Sequence, residues 1–344
     1  MSLLWDFLQS LRKESLLPEM NTGFKHIVLS VTAKIIPIGV LRYIYLKSGS
    51  EFWMKLLCAK VIHVLARKDI QEIIDPNKYI CFSEDVYTYK VFNMCYMSNM
   101  LGKAMLATAL GAVPIFEVKD TDGDNYFNQY FNAIEHKGQE ILCDSKYVWT
   151  KKNAPGIHWD MSSEERKAYQ KLYERYFVLK KEIKDKYDLE LSRIKCVINS
   201  SNSVGVVLRG TDYVLTKPKG HPIQPDIDEI ISILETDFSN SYYYVATDEE
   251  KMLKKLREKF GDRVISSDSV YYDGIYDKDD KRISYISFDR ENDKYLRGFE
   301  YFRKLYVMSN LNCVAFGMSG ASRMVLIMRK GNFEKERIIY RGLY

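Results

Sequence analysis

Short apolar runs alternate with segments of helical spacing through the second half of the chain. The runs are SVGVVLR (203–209), YYYVAT (242–247), RVISS (263–267) and CVAFG (313–317), each of strand length. Between them, DIDEIISILETDF (226–238), DEEKMLKKLREKFG (248–261) and DKYLRGFEYFRKLYVMSN (293–310) place apolar residues three and four apart. GASRMVLIMRKG (320–331) closes the series as a helix. Four strands alternating with helices predict an α/β fold built on a doubly wound parallel sheet. The first half repeats the signature once: strand KYICFS (78–83), helix MSNMLGKAMLATALG (97–111) and strand AVPIFEV (112–118). Residues 1–77 read mostly as helices, with turns at Pro18, Gly23 and 48–50, and residues 119–160 show few elements. SSEERKAYQKLYERYFVLKKEIKDKY (162–187) predicts one long charged helix, capped by Ser162 or Ser163 and long enough to bridge two domains. The boundary falls after it, giving domains 1–195 and 196–344.

Composition narrows the classes. A chain of 344 residues favours two domains, and 46% apolar with 28% charged residues excludes general disorder. The net charge of +5 suits an anionic ligand but is too small and dispersed to call for nucleic acid. Six cysteines form no C-x-x-C pair and no Cys/His cluster of zinc spacing, so no metal site is expected; most sit in apolar runs, as reduced residues of a cytoplasmic protein do. No signal-peptide layout is present. Lys34, Pro37 and Arg42 interrupt the apolar stretch 26–46, which predicts an amphipathic helix rather than a membrane span. Peripheral membrane docking is its second reading, because Arg42 and Lys47 flank Tyr43 and Tyr45.

Ligands on doubly wound sheets sit at the carboxyl ends of the strands. Those ends carry Arg209 with Thr211 and Asp212, then Thr247 and Asp248, then Ser267 and Asp268, and finally GMSGASR (317–323) opening a helix. In that turn Gly317 and Gly320 allow close backbone approach, Ser319 and Ser322 add hydroxyls, and the helix N-terminus suits a phosphate. Arg209 can grip the same phosphate with two parallel bonds. The convergence points to a phosphate-bearing nucleotide or sugar nucleotide. Each residue also has a plain structural reading: the serine turn as a cap, Asp248 as a helix cap, Arg209 as an ion pair with Asp212. DTDGDN (120–125) has D-x-D spacing and resembles a calcium-loop start, but Phe131 stands where such a loop needs glutamate, so a polar turn is expected. Tyr126, Phe127, Tyr130 and Phe131 suit core packing or sugar stacking, and 271–282 reads as a charged loop lining the cleft. The P-loop, dinucleotide and nucleophile-elbow motifs are absent.

Four of these features together resemble the fucosyltransferase superfamily, in its α-1,6-fucosyltransferase and nodulation fucosyltransferase branch. VLRGTD (207–212), followed eight residues later by His221-Pro222-Ile223, is similar to the first motif, H-x-R-R-T-D then H-P-I. Ala246-Thr247-Asp248, Leu296-Arg297-Gly298, and Ser319 with Arg323 four residues on are similar to the others, in order. The likeness covers 204–328; in the first 195 residues only LATALGAVPIFEV (106–118) resembles the family. It implies a GT-B-like pair of Rossmann-like domains, with acceptor-side residues 1–195 and nucleotide-sugar donor-binding residues 196–344. It implies an inverting, metal-independent glycosyltransferase that needs no cofactor and moves fucose from GDP-fucose to a glycan or glycolipid hydroxyl, as in polysaccharide biosynthesis. Arg209 would bind the donor diphosphate; Thr247, Asp248, Ser319, Gly320, Ser322 and Arg323 would complete the donor site. The base would come from Asp212, His221, Glu84, Asp122 or Asp124. The chain departs from the pattern at Gly210 (second arginine), Val207 (histidine), Lys217 (an acid in some members) and Phe302 (the guanine-contacting aspartate, with Glu300 nearby). These departures leave open a UDP-sugar or another GDP-sugar as donor, or a non-catalytic glycan- or nucleotide-binding protein.

Overall fold

Two all-parallel sheets organise the described residues. The computed structural model describes residues 34–83, 89–136, 141–143, 157–198, 202–275 and 283–344. The helices expected in the first 33 residues, the candidate base Glu84 and the latter part of the 271–282 loop lie outside the described residues. Helices α1 (Ile38–Ser48) and α2 (Glu51–Leu65) precede strand β1 (Tyr79–Phe82), helix α3 (Met94–Ala109), strand β2 (Val113–Phe116), short helix α4 (Tyr126–Tyr130) and strand β3 (Ile141–Cys143). These strands pair in the order β2-β1-β3. Helices α5 (Ser163–Tyr176) and α6 (Lys181–Val197) lead to the larger sheet. Its elements are β4 (Ser203–Leu208), α7 (Thr211–Thr216), α8 (Ile227–Asp237), β5 (Tyr242–Thr247), α9 (Glu250–Phe260), β6 (Val264–Ile265), α10 (Asp293–Ser309), β7 (Cys313–Gly317), α11 (Gly320–Met328) and β8 (Lys335–Ile339).

The larger sheet is doubly wound, and its side chains show why. Val204, Val206 and Leu208 of β4, Tyr243 and Val245 of β5, and Ala315 of β7 face one hydrophobic cluster with α8 and α9. Val207, Tyr244, Ala246, Val314 and Phe316 face the opposite cluster, which includes α10 and α11. This period of two buries both faces, so each strand reads as an unbroken apolar run. The strand order is β6-β5-β4-β7-β8. The chain therefore winds outward from β4 in one direction and from β7 in the other. The topological switch point, where such folds leave a crevice, lies between the carboxyl ends of β4 and β7.

Three expectations are corrected. The sheet has a fifth strand, β8, where the closing helix was the last element expected; its charged residues Lys335, Glu336 and Arg337 hide an edge strand. The run at 263–267 pairs only over Val264–Ile265. The long helix at 162–187 is two helices. Ser162 caps the first in a capping box with Glu165, but the chain leaves the helix at Phe177. That ring packs 5.4–5.6 Å from Phe131, Phe127 and Phe116. Residues 178–180 then pair with 130–132: Asn132 N–H donates to the Val178 carbonyl at 2.8 Å and Lys180 N–H to the Tyr130 carbonyl at 3.0 Å. Burying Phe177 outweighs unbroken helical propensity, because tertiary packing supplies most helix stability.

The amphipathic helix is α1, with Leu41, Ile44 and Tyr45 buried and Tyr43 and Leu46 exposed. Arg42 turns inward, donating to the carbonyls of Ala109 at 2.6 Å and Ile73 at 2.7 Å, and Tyr45 is buried beside it, so Tyr43 and Lys47 are left on the outer face. No helix among the described residues is long and apolar enough to cross one. Tyr126, Phe127, Tyr130 and Phe131 are all core residues. Cys95 and Cys196 are exposed rather than core.

Candidate functional site at the switch point

β4 delivers Arg209 to the crevice edge, where its side chain keeps only 17% exposure. Nη1 donates to Asp248 at 3.0 Å and Nη2 to Asp212 at 2.7 Å. The guanidinium also lies over the Tyr213 ring, 5.0 Å from its centre. Burial by itself would lower its pKa, but Asp248 and Asp212 outweigh that and hold it above the ordinary value. Arg209 is thus a permanent, positioned cation.

Asp248 is not a helix cap. It accepts from the Gly210 N–H at 3.0 Å and from the Thr211 hydroxyl, tying the end of β5 to the end of β4. Asp273 caps α9 instead, accepting from the N–H groups of Glu250 at 2.7 Å and Lys251 at 3.0 Å. Thr247 turns the strand end locally, accepting from Glu249 N–H at 3.1 Å. Glu249, absent from the sequence reading, is buried and accepts from Thr211 N–H at 2.9 Å. It also explains Gly210. A Cβ there would stand 2.4–2.8 Å from the Glu249 carboxylate, so a side chain at 210 requires this buried carboxylate to shift. Thr211 follows at φ 36°, and α7 ends on Lys217 at φ 44°. Left-handed backbone at a β-branched residue stores about 1–3 kcal/mol and marks functional elbows.

Across the switch point, Ser319 and Ser322 form a reciprocal cap. Ser322 N–H donates to Ser319 Oγ at 3.2 Å, Ser319 N–H to Ser322 Oγ at 2.6 Å, and the Ser322 hydroxyl to the Gly317 carbonyl at 2.9 Å. Both side chains are buried. Gly317 leaves room for Pro225, whose Cδ would lie 2.3 Å from an added Cβ, and Gln224 seals the contact by donating to the Met318 carbonyl at 2.8 Å. Gly320, beginning α11, contributes a first-turn N–H that has no acceptor inside the helix, as does Ala321.

Arg323 reaches away from the sheet to the first half of the chain. It donates to the Ile157 carbonyl and to Ser98 Oγ at 3.0 Å, and its guanidinium lies 4.2 Å from the centre of the Trp159 ring. Burial pushes its pKa down to about 10. The Trp159 indole N–H donates to the Gly220 carbonyl at 3.1 Å, and His221 stands 6.2 Å from Trp159 and 5.2 Å from Tyr213. Arg209, Tyr213, His221, Trp159 and Arg323 therefore form one continuous row of rings and cations along the seam. Trp159 and Tyr213 escaped the sequence reading because an aromatic residue in a polar segment carries no pattern.

Lys304 was also missed. It is buried, donates to Ser269 Oγ and lies 5.6 Å from the Tyr271 ring. Burial pushes its pKa down to about 8, with Glu300 and Asp248 opposing. The available signal was a lysine on the buried stripe Lys304, Leu305 and Met308 of α10, continuous with half-buried Tyr301.

The other acids are engaged. Lys294 binds Asp120, Asp122 at 2.7 Å and Asp124 at 2.9 Å, so its ammonium occupies the D-x-D turn. Among the described residues no group of acids, histidines and cysteines is placed to hold a metal. A cavity of 290 Å³ beside that turn, lined by Asp124, Gln129, Asn292, Asp293, Lys294 and Tyr295, contains none of the strand-end residues. Glu300 is bound through both oxygens to Arg290, at 2.7 and 3.1 Å, and Phe302 is fully buried. Arg297 pairs with Asp293 at 2.8 Å, and a Cβ on Gly298 would meet Tyr130 and Phe92 within 2.8 Å, so that motif packs α10 against the first half.

No family model matches the chain, and no curated protein matches it. Solved structures do. POFUT1 in complex with GDP matches 77% of this chain and 99% of its own, at 11% identity and a TM-score of 0.43. Its apo form matches 77% and 98%, at 10% identity and 0.45. POFUT1 in complex with GDP-fucose matches 80% and 78%, at 11% identity and 0.34. Likeness this remote carries no functional weight by itself.

Proposed function

We infer that the protein is an inverting, metal-independent glycosyltransferase of GT-B-like build, moving a sugar, fucose, from a GDP-sugar to a glycan or glycolipid hydroxyl. Residues 196–344 would bind the donor and residues 1–195 the acceptor. One observation carries this reading. Arg209, a half-buried cation, stands at the switch point of a doubly wound sheet, on the strand end next to the α11 N-terminus. A departing diphosphate develops charge there, and a fixed arginine together with the Gly320 and Ala321 N–H groups offsets it without a metal. The four ordered motifs shared with fucosyltransferases support the sugar. Asp248 holds the Arg209 elbow, and Arg323 extends the positive charge along the seam.

A second donor is favoured by one observation. Phe302, at the position where the fucosyltransferases it resembles place a guanine-binding aspartate, is buried in the core, and neighbouring Glu300 is committed to Arg290. Another nucleobase, as in a UDP-sugar, is the reading this supports. Thermal shift with GDP, GDP-fucose, UDP and UDP-glucose separates them, since a ligand of the native state raises the melting temperature. GDP and GDP-fucose are expected to raise it most. A larger shift with the UDP pair moves the function to a UDP-sugar, and no shift with any of the four overturns it.

A further inference from the structure

Two carboxylates share Arg209, and they are held in different ways. Asp248 is anchored to the chain through Gly210 N–H and the Thr211 hydroxyl as well as through Arg209. The Asp212 carboxylate has one described hydrogen-bond donor, Arg209 at 2.7 Å. Asp212 rides on α7, six residues long, which begins at Thr211 with φ 36° and stops at Lys217 with φ 44°. Left-handed backbone at two non-glycine residues, one of them β-branched, stores strain in this short element. Arg209, Asp248, Tyr213 and Tyr301 are the charged and titratable groups around Asp212.

We propose that Asp212 occupies the phosphate's place on Arg209 in the free protein and, once displaced by the donor, is the base of the transfer. This rests on the reading of Arg209 as a diphosphate ligand. A carboxylate and a phosphate offer the same lone pairs to a guanidinium fork, so the two compete for Nη2, while Asp248 stays on Nη1. Displacement frees the Asp212 carboxylate from its one described donor and leaves its oxygens open to a hydroxyl. The acceptor oxygen then bonds to the anomeric carbon as the bond from that carbon to the diphosphate oxygen breaks. The bonding pair leaves on the diphosphate, held by Arg209, and the hydroxyl proton passes to an Asp212 oxygen. Asp212 returns that proton to water and re-pairs with Arg209 when the nucleoside diphosphate departs. The donor must bind before the acceptor, because the base is otherwise engaged.

The test is calorimetry with GDP and with inorganic pyrophosphate on the full chain, wild type and Asp212→Asn, beside GDP release from GDP-fucose with water as acceptor. Asp212→Asn is expected to bind both ligands roughly tenfold more tightly, because a neutral amide competes poorly for the guanidinium. Its kcat is expected to fall by roughly a hundredfold or more, with the acid limb of the pH–kcat profile removed. Asp212→Glu keeps the charge and is expected to recover turnover and that limb. Weaker GDP binding by Asp212→Asn, or wild-type turnover in it, overturns the proposal. Equal GDP affinity in wild type and Asp212→Asn removes the displacement step while leaving the diphosphate reading intact. Binding of neither ligand by any variant removes both.

Discussion

The ends of β4 and β7 are neighbours in one sheet, yet they use their polar residues in opposite ways. At β7, Ser319 and Ser322 satisfy one another and the Gly317 carbonyl, and Pro225 fills the space that Gly317 leaves. At β4, Arg209 divides itself between two acids, Thr211 is left-handed, and Asp212 depends on one replaceable partner. The first arrangement is what a stable strand-to-helix turn requires. The second stores strain and concentrates charge beyond what the fold requires, and such excess accumulates where chemistry is done. A glycine-serine turn before a helix is thus weaker evidence of a phosphate site than an arginine held in reserve beside it.

The widest separation between the two ends is expected from Arg209→Ala. GDP release from GDP-fucose should fall by roughly a hundredfold or more, the loss typical of removing a charge-stabilising donor; the far-UV spectrum should stay that of the folded protein. A steric pair sharpens the contrast. Gly210→Ala and Gly317→Ala place a Cβ 2.4 Å from the Glu249 carboxyl carbon and 2.3 Å from Pro225 Cδ respectively. Each is expected to cost about 1–3 kcal/mol of stability in denaturant titration. Only Gly210→Ala should also depress kcat, because only its neighbours grip Arg209; equal loss of kcat in both would erase the distinction.

The smallest expected effect belongs to Lys304, buried near Asp248. Its folded pKa is held down to about 8 from an ordinary 10.5. Between those values the unfolded chain keeps a proton that the folded chain has released, so stability rises with pH across that window. Below about pH 8 the full cost of burying the ammonium is present. Lys304→Met should therefore melt a few degrees higher at pH 7 and lose most of that advantage by pH 10. A lower melting temperature at pH 7 would show that the bond to Ser269 outweighs the buried charge.

The sequence made the buried framework legible and left the junctions obscure. SVGVVL, YYYVAT and CVAFG announced themselves because both faces of those strands are covered. KERII did not, because an edge strand half in water carries Lys335, Glu336 and Arg337. The break at Phe177 was illegible because helical spacing continues through it; the deciding contacts come from Phe116, Phe127 and Phe131, about 45 or more residues away in sequence. In the site, Arg209, Asp212 and Asp248 could be placed together from strand ends alone. Glu249 could not, because its role rests on the Thr211 N–H and on the space left at Gly210, neither of which a residue pattern encodes.

Isothermal titration of GDP into wild type, Arg209→Ala and Ser322→Ala tests the central claim most directly. The account expects Arg209→Ala to weaken GDP by roughly a hundredfold, the scale of a lost charge-assisted fork. Ser322→Ala should lower the melting temperature and leave affinity within about twofold, since its hydroxyl is committed to the turn. GDP binding unchanged in folded Arg209→Ala, or lost only in Ser322→Ala, would contradict it.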